Sequence, residues 1–139
     1  MKKILDIIAK VLFSLILIMP ILGVLGIFPP PTRDLYNTDE AFAFIQMLND
    51  ASYIMYMLVA VHIVAVIALW TRREALAAWL VAPITANIVG FHAFLDGGIF
   101  TVGSIMVHVM LFLHLYLLWR YRDSYRTLIT PRVKNEETV

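Results

Sequence analysis

Four apolar runs, at 11–28, 51–70, 75–95 and 99–119, set what this chain can fold into; each holds roughly 18–21 residues. At about 1.5 Å of rise per residue, each can cross a hydrocarbon layer about 30 Å thick. A soluble four-helix bundle needs a polar stripe on every helix, and these runs are apolar all round. Charged residues make up 15% of the chain, against roughly 25% in ordinary soluble domains. The reading is an all-α, integral membrane four-helix bundle. Residues 1–122 form the transmembrane domain and residues 123–139 a polar cytoplasmic tail that frays after Thr130.

Basic residues orient the spans. Lys2, Lys3 and Lys10 flank the start of the first span, Arg72 and Arg73 fill the turn between the second and third, and Arg120, Arg122, Arg126, Arg132 and Lys134 follow the fourth. An even number of spans puts all of these on one side. The other side has Arg33 alone, among Asp34, Asp39, Glu40, Asp50 and Asp96. This asymmetry predicts that both termini are cytoplasmic. The N-terminus has Lys2 and Lys3 before an apolar stretch but no A-x-A-like cleavage site, so it reads as an uncleaved first helix.

Local signals punctuate the chain. Asp6 and Lys10, four apart, can pair on one face. Pro20 falls inside the first span and Pro29-Pro30-Pro31 ends it. Asn37 with Glu40 resembles a helix start. Residues 41–48 then read as a short amphipathic helix on the outer surface. One unbroken helix from 39 to 70 would be about 48 Å long, so this part protrudes, lies flat or breaks near Asn49. Thr71 with Glu74 has capping-box spacing for the third span. Gly97-Gly98 allow a tight turn into the fourth.

Candidate chemistry centres on residues 83–98, which carry Asn87, His92 and Asp96 where lipid offers no partner. At about 100° per residue, Thr85, His92 and Asp96 share a stripe. His92 and Asp96, four apart, can hydrogen-bond and so set the imidazole tautomer. The stripe predicts a cavity in the outer half of the bundle, with Thr85, Asn87, His92, Asp96 and His108 as its candidate ligand-binding residues. The bland alternative is a structural cap of the hairpin between the third and fourth spans. Asn87 reads as an interhelical hydrogen bond. Ala82, Ala86, Gly90 and Ala93 form a stripe of small residues suited to close helix packing, so Gly90→Leu is predicted to overpack at roughly 1–3 kcal/mol. On the fourth span Thr101, Ser104 and His108 share a stripe, with His114 about 240° away.

His62 with His108 or His114 could ligate a b-type haem if their depths matched. A buried histidine bonded to a carbonyl or hydroxyl is the stronger reading. The absence of cysteine excludes disulfides and thiolate metal sites in this chain. No metal-site spacing, phosphate loop, nucleophile triad or nucleic-acid patch is present. The basic tail can attract anionic lipid.

Residues 80–88, Leu-Val-Ala-Pro-Ile-Thr-Ala-Asn-Ile, with 91–96, Phe-His-Ala-Phe-Leu-Asp, resemble the third helix of DoxX-like small membrane proteins. The likeness extends over residues 4–122, with His62 where many relatives carry a glutamate. The resemblance implies a bacterial inner-membrane protein. Some relatives are small subunits of quinone-linked oxidoreductases acting on thiosulfate; others accompany thiol and oxidative-stress enzymes. It thus implies a redox-linked subunit with a quinone-like ligand beside His92 and a soluble or membrane redox partner. The alternative from another class is a non-catalytic scaffold or dock in the lipid bilayer. A third, weaker reading is a small carrier or channel, which needs more helices or a homo-oligomer.

Overall fold

The computed structural model describes residues 2–125. The expected fraying of the tail after Thr130 lies outside these residues. The described chain is helical and has no strand: α1 is Lys2–Val24, α2 Asp39–Asp50, α3 Ser52–Trp70, α4 Glu74–Phe94 and α5 Ile105–Arg120. Short 3-10 turns occupy Arg33–Leu35 and Val102–Ser104. The helices at Lys3–Val24, Ser52–Trp70, Glu74–Phe94 and Val102–Arg120 are long and apolar enough to cross a membrane. These are the four spans read from the sequence. The fifth helix, α2, is the short connecting helix.

The four long helices form a ring in the order α1, α3, α4, α5, closed by α5 against α1. The seam between them holds Phe13 and Leu17 of α1, Leu69 of α3, Val81 of α4 and Leu117 of α5, all fully buried. Alanines at 65, 68, 77 and 78 lie among them and let the backbones approach. Most other large apolar side chains point outward, as Phe112, Leu115 and Trp119 do. That distribution suits a hydrocarbon solvent.

Turn chemistry explains the boundaries. Gly26 has φ 74°, the Ile27 N–H returns to the Leu22 carbonyl (3.0 Å), and the Gly26 N–H to Gly23 (3.0 Å). This paired closure ends α1 just before the proline run. α2 begins at Thr38, not Asn37: the Thr38 hydroxyl accepts the Ala41 N–H at 3.1 Å. α2 and α3 are separated at Ala51, where ψ is 59°, two residues beyond the expected break at Asn49. Thr71 and Glu74 form no capping box. The Thr71 hydroxyl donates back to the Ile67 carbonyl (2.8 Å), Arg73 is the N-cap, and Arg72 takes the left-handed conformation at φ 61°.

Glu74 is engaged elsewhere, and so are Asp6 and Lys10, which do not pair with each other. At the basic end, Lys10 of α1 meets Glu74 of α4 at 2.6 Å in a partly buried ion pair. Asp6 of α1 accepts from Tyr116 (2.5 Å) and from two nitrogens of Arg120 on α5. Trp70 of α3 donates to Ser14 of α1 at 3.1 Å. One turn after another, α1 is tied to all three other spans. Each bond lies across 56 or more residues, so local spacing could not reveal it.

The small-residue stripe is the clearest departure from expectation. Ala86 is exposed, and Ala82, Gly90 and Ala93 are only half-buried. A methyl group at Gly90 would meet nothing within 4 Å. The bundle closes on α4 through Ala77, Ala78, Val81 and Thr85 instead, so the stripe faces away from the other spans. Gly90→Leu should therefore leave stability unchanged or raise it by up to about 1 kcal/mol, the helix-propensity difference. Leu17→Ala should cost about 2–5 kcal/mol through a core cavity. Thermal melting of both purified variants tests the assignment of faces.

Candidate functional site

Two polar clusters hold Thr85, His92 and Asp96. The first closes the acidic end. Asp96 is only 2% exposed. Its Oδ1 accepts the Asn37 backbone N–H at 2.8 Å, and its carbonyl accepts the Asn37 side-chain amide at 3.1 Å. Next door, the Thr38 hydroxyl donates to the Leu95 carbonyl. A carboxylate accepting a backbone N–H is a charge-assisted bond of about 1.5–3 kcal/mol. Gly97, at φ 78°, is required twice over: a side chain there would be strained, and its Cβ would come within 3.2 Å of the Asn37 Cβ. The sequence missed Asn37 as the partner of Asp96 because 59 residues separate them.

His92 lies beside this clamp. Its Nδ1 is 3.0 Å from Asp96 Oδ2, yet Nδ1 is buried with no aligned hydrogen-bond partner. The contact has the distance of an ion pair without the angle of a hydrogen bond. The expected His92–Asp96 hydrogen bond is thus replaced by a close approach, with the carboxylate aligned on Asn37 instead. Phe91 stacks edge-on against Tyr36 (6.3 Å) and lies 5.8 Å from Phe44 of α2, which seals this end over α4. Burial first, and the Asp96 carboxylate second, push the Tyr36 phenol above its ordinary pKa.

The second cluster joins α4 to α5 deep in the bundle. Thr85 is 3% exposed and His114 2%. The imidazole contacts Thr85 Oγ1 at 2.7 Å through Nδ1 and the Ala78 carbonyl at 2.8 Å through Nε2. A carbonyl can only accept, so Nε2 carries the proton; Nδ1 of the neutral ring then accepts the Thr85 hydroxyl proton. Both ring nitrogens are satisfied without a charge, the condition a low-dielectric interior favours. The Phe13 ring, 5.4 Å away, packs on the same imidazole. Thr85 therefore joins His114, not His92 and Asp96, although continuing the helical period puts Thr85, His92 and Asp96 on one stripe.

The remaining flagged groups bond within their own helices. His62, fully buried, and His108, half-buried, each donate Nδ1–H to the carbonyl four residues earlier, Leu58 at 2.7 Å and Ser104 at 2.8 Å. Ser104 shares its own hydroxyl proton between Ile99 (2.5 Å) and Thr101 (2.7 Å). Asn87 does not reach a neighbouring helix. It is exposed and donates to the Pro83 carbonyl at 2.9 Å. For the haem reading, His114 has no nitrogen left for iron, which leaves the Nε2 atoms of His62 and His108 as the uncommitted ones.

Two clefts stand out among the described residues; Asn87 lines one of them, and neither is lined by Thr85, His92, Asp96 or His108. One is a shallow space of about 430 Å³ on the outward side of α4, where Phe44 faces Asn87 and Gly90. The other, of about 530 Å³, lies between the far end of α1, the proline run and the junction of α2 with α3. No protein-family model, curated protein or solved structure matches this chain.

The Thr85–His114 bond yields a direct test. Thr85→Val removes the donor while keeping the shape, leaving a buried nitrogen unpaired. It should cost about 1–3 kcal/mol of stability. Thr85→Ser keeps the hydroxyl and should cost less. Melting curves of the two variants in one detergent read the difference.

Proposed function

We propose that this chain is a multi-pass membrane scaffold, a small subunit that docks a partner at the bilayer without side-chain catalysis of its own. One observation carries the reading. Most polar groups that look chemical in the sequence are bonded inside the protein: Asp96 to Asn37 and His114 to Thr85 and Ala78 join separate elements, and His62 and His108 bond through Nδ1 to their own helices. The basic clusters support a plasma-membrane orientation with both termini in the cytoplasm. The resemblance of residues 80–88 and 91–96 to DoxX-like proteins supports a bacterial inner membrane.

A second reading, an accessory subunit of a quinone-linked oxidoreductase, is favoured by His92. Its buried Nδ1, 3.0 Å from the Asp96 carboxylate but without an aligned partner, is the buried polar side-chain atom that the bundle leaves unsatisfied among the described residues. In that reading His92 donates a hydrogen bond to the carbonyl of a quinone-like head group at the acidic end, and a redox partner supplies the electrons that accompany any proton uptake.

Two measurements test these readings. Reporter fusions at Asn37 and Arg72 should fall on opposite sides of the membrane, with Arg72 inside; both on one side would overturn the orientation. Under the scaffold reading, His92→Ala and Asp96→Asn lower the melting temperature and leave quinone titrations of the purified protein unchanged. Loss of quinone binding at an unchanged melting temperature would favour the redox-linked subunit.

A further inference from the structure

The larger cleft is built from stiff parts. The pyrrolidine ring of Pro20 and the proline run at 29–31 form one side, and prolines hold φ fixed. Gly23 leaves an opening in the α1 wall, where an added methyl would meet nothing within 4 Å. Ile45 of α2 and Met55 of α3 face it. The paired closure at Gly26 fixes the exit of the chain from α1. Such a cleft persists without an occupant, and its volume of about 530 Å³ falls in the range of small-molecule sites, about 300–1,000 Å³.

Its chemistry is graded. Pro20, Ile45 and Met55 make an apolar bed beside the hydrocarbon-spanning parts of α1 and α3. Asn49 and Ser52 stand at the α2–α3 junction. The Ser52 hydroxyl makes only a long 3.5 Å contact with the Asn49 carbonyl, and the Asn49 side-chain amide bonds to no described residue. Tyr53 and Tyr56 are exposed on the first turns of α3. Exposed tyrosines at a helix end mark the level where hydrocarbon gives way to head groups. The polar rim is therefore at head-group depth, and the apolar bed runs inward from it. An amphiphile standing in the bilayer has the same grading.

We propose that this cleft binds one membrane amphiphile, with its apolar chain bedded between α1 and α3 and a carbonyl oxygen of its head group accepting from the Asn49 amide. Two kinds of molecule share that chemistry: a glycerophospholipid, through an ester carbonyl, and an isoprenoid-tailed quinone, through a ring carbonyl. The site is distinct from His92 and Asp96, so it stands or falls independently of the scaffold reading.

Photolabelling of the full chain in lipid nanodiscs tests it. The two probes are a phospholipid with a diazirine in one acyl chain and an isoprenoid benzoquinone with a diazirine in its tail. At least one probe should label peptides containing residues 20–31 and 45–56 above the lipid-facing surface of α5 around Phe112 and Leu115. Gly23→Leu fills the cleft and should reduce that labelling to the α5 level; Asn49→Ala should reduce it in part. If Gly23→Leu shows no melting transition, Met55→Trp fills the cleft from the α3 side. Enrichment with the phospholipid alone assigns bilayer lipid, and enrichment with the quinone alone assigns the isoprenoid; either supports the site. Even labelling around all the spans, or labelling unchanged in a folded cleft-filled variant, overturns it.

Discussion

An apolar interior offers few hydrogen-bond partners, and this bundle is arranged around that lack. A polar side chain buried in it must find its partner inside the protein or lose a bond that water would have supplied. His62 and His108 meet this demand for one ring nitrogen each, by donating Nδ1–H to a carbonyl one turn back on the same helix. His114 meets it across helices, with one nitrogen on Thr85 and the other on Ala78. That cross-helix bond fixes the rotation of α5 against α4 in a way that apolar packing, which is non-directional, does not.

The two ends of the bundle are fastened differently. At the basic end α1 acts as the post. Asp6, Lys10 and Ser14 lie on successive turns and each is bonded to a different span. At the acidic end a loop residue does the fastening. Asn37 presents its backbone N–H and its amide to Asp96, and Thr38 reaches Leu95 while capping α2. One pair of residues thus sets where α2 starts and where the α4–α5 turn is held. The same arrangement gives α2 its seat, with Phe44 against Phe91.

These fastenings bear directly on the functional readings. A carboxylate that closes a loop is poorly placed to serve as a freely exchanging acid, whereas the neighbouring His92 retains an unaligned nitrogen. The open space lies elsewhere, beside Pro20 and Gly23 and along the outward face of α4. Stiff prolines and the missing side chain of Gly23 together explain the first of these positions, beside the break that ends α1.

The sequence by itself marked four helices long and apolar enough to cross a membrane, because length and apolar content are local properties. It also marked Asp96, His114 and Thr85 as polar groups needing partners. It could not say which partners. Asn37 and Asp96 are 59 residues apart, and Thr85 and His114 are 29 apart; no helical period connects them. The same limit misassigned the faces of α4. Ala82, Ala86, Gly90 and Ala93 form a stripe that looks built for contact, yet Ala77, Ala78, Val81 and Thr85 make the contact. On a helix that is apolar all round, periodicity carries no information about which side faces protein. The tertiary structure decided that through directional bonds, above all the one from Thr85 to His114.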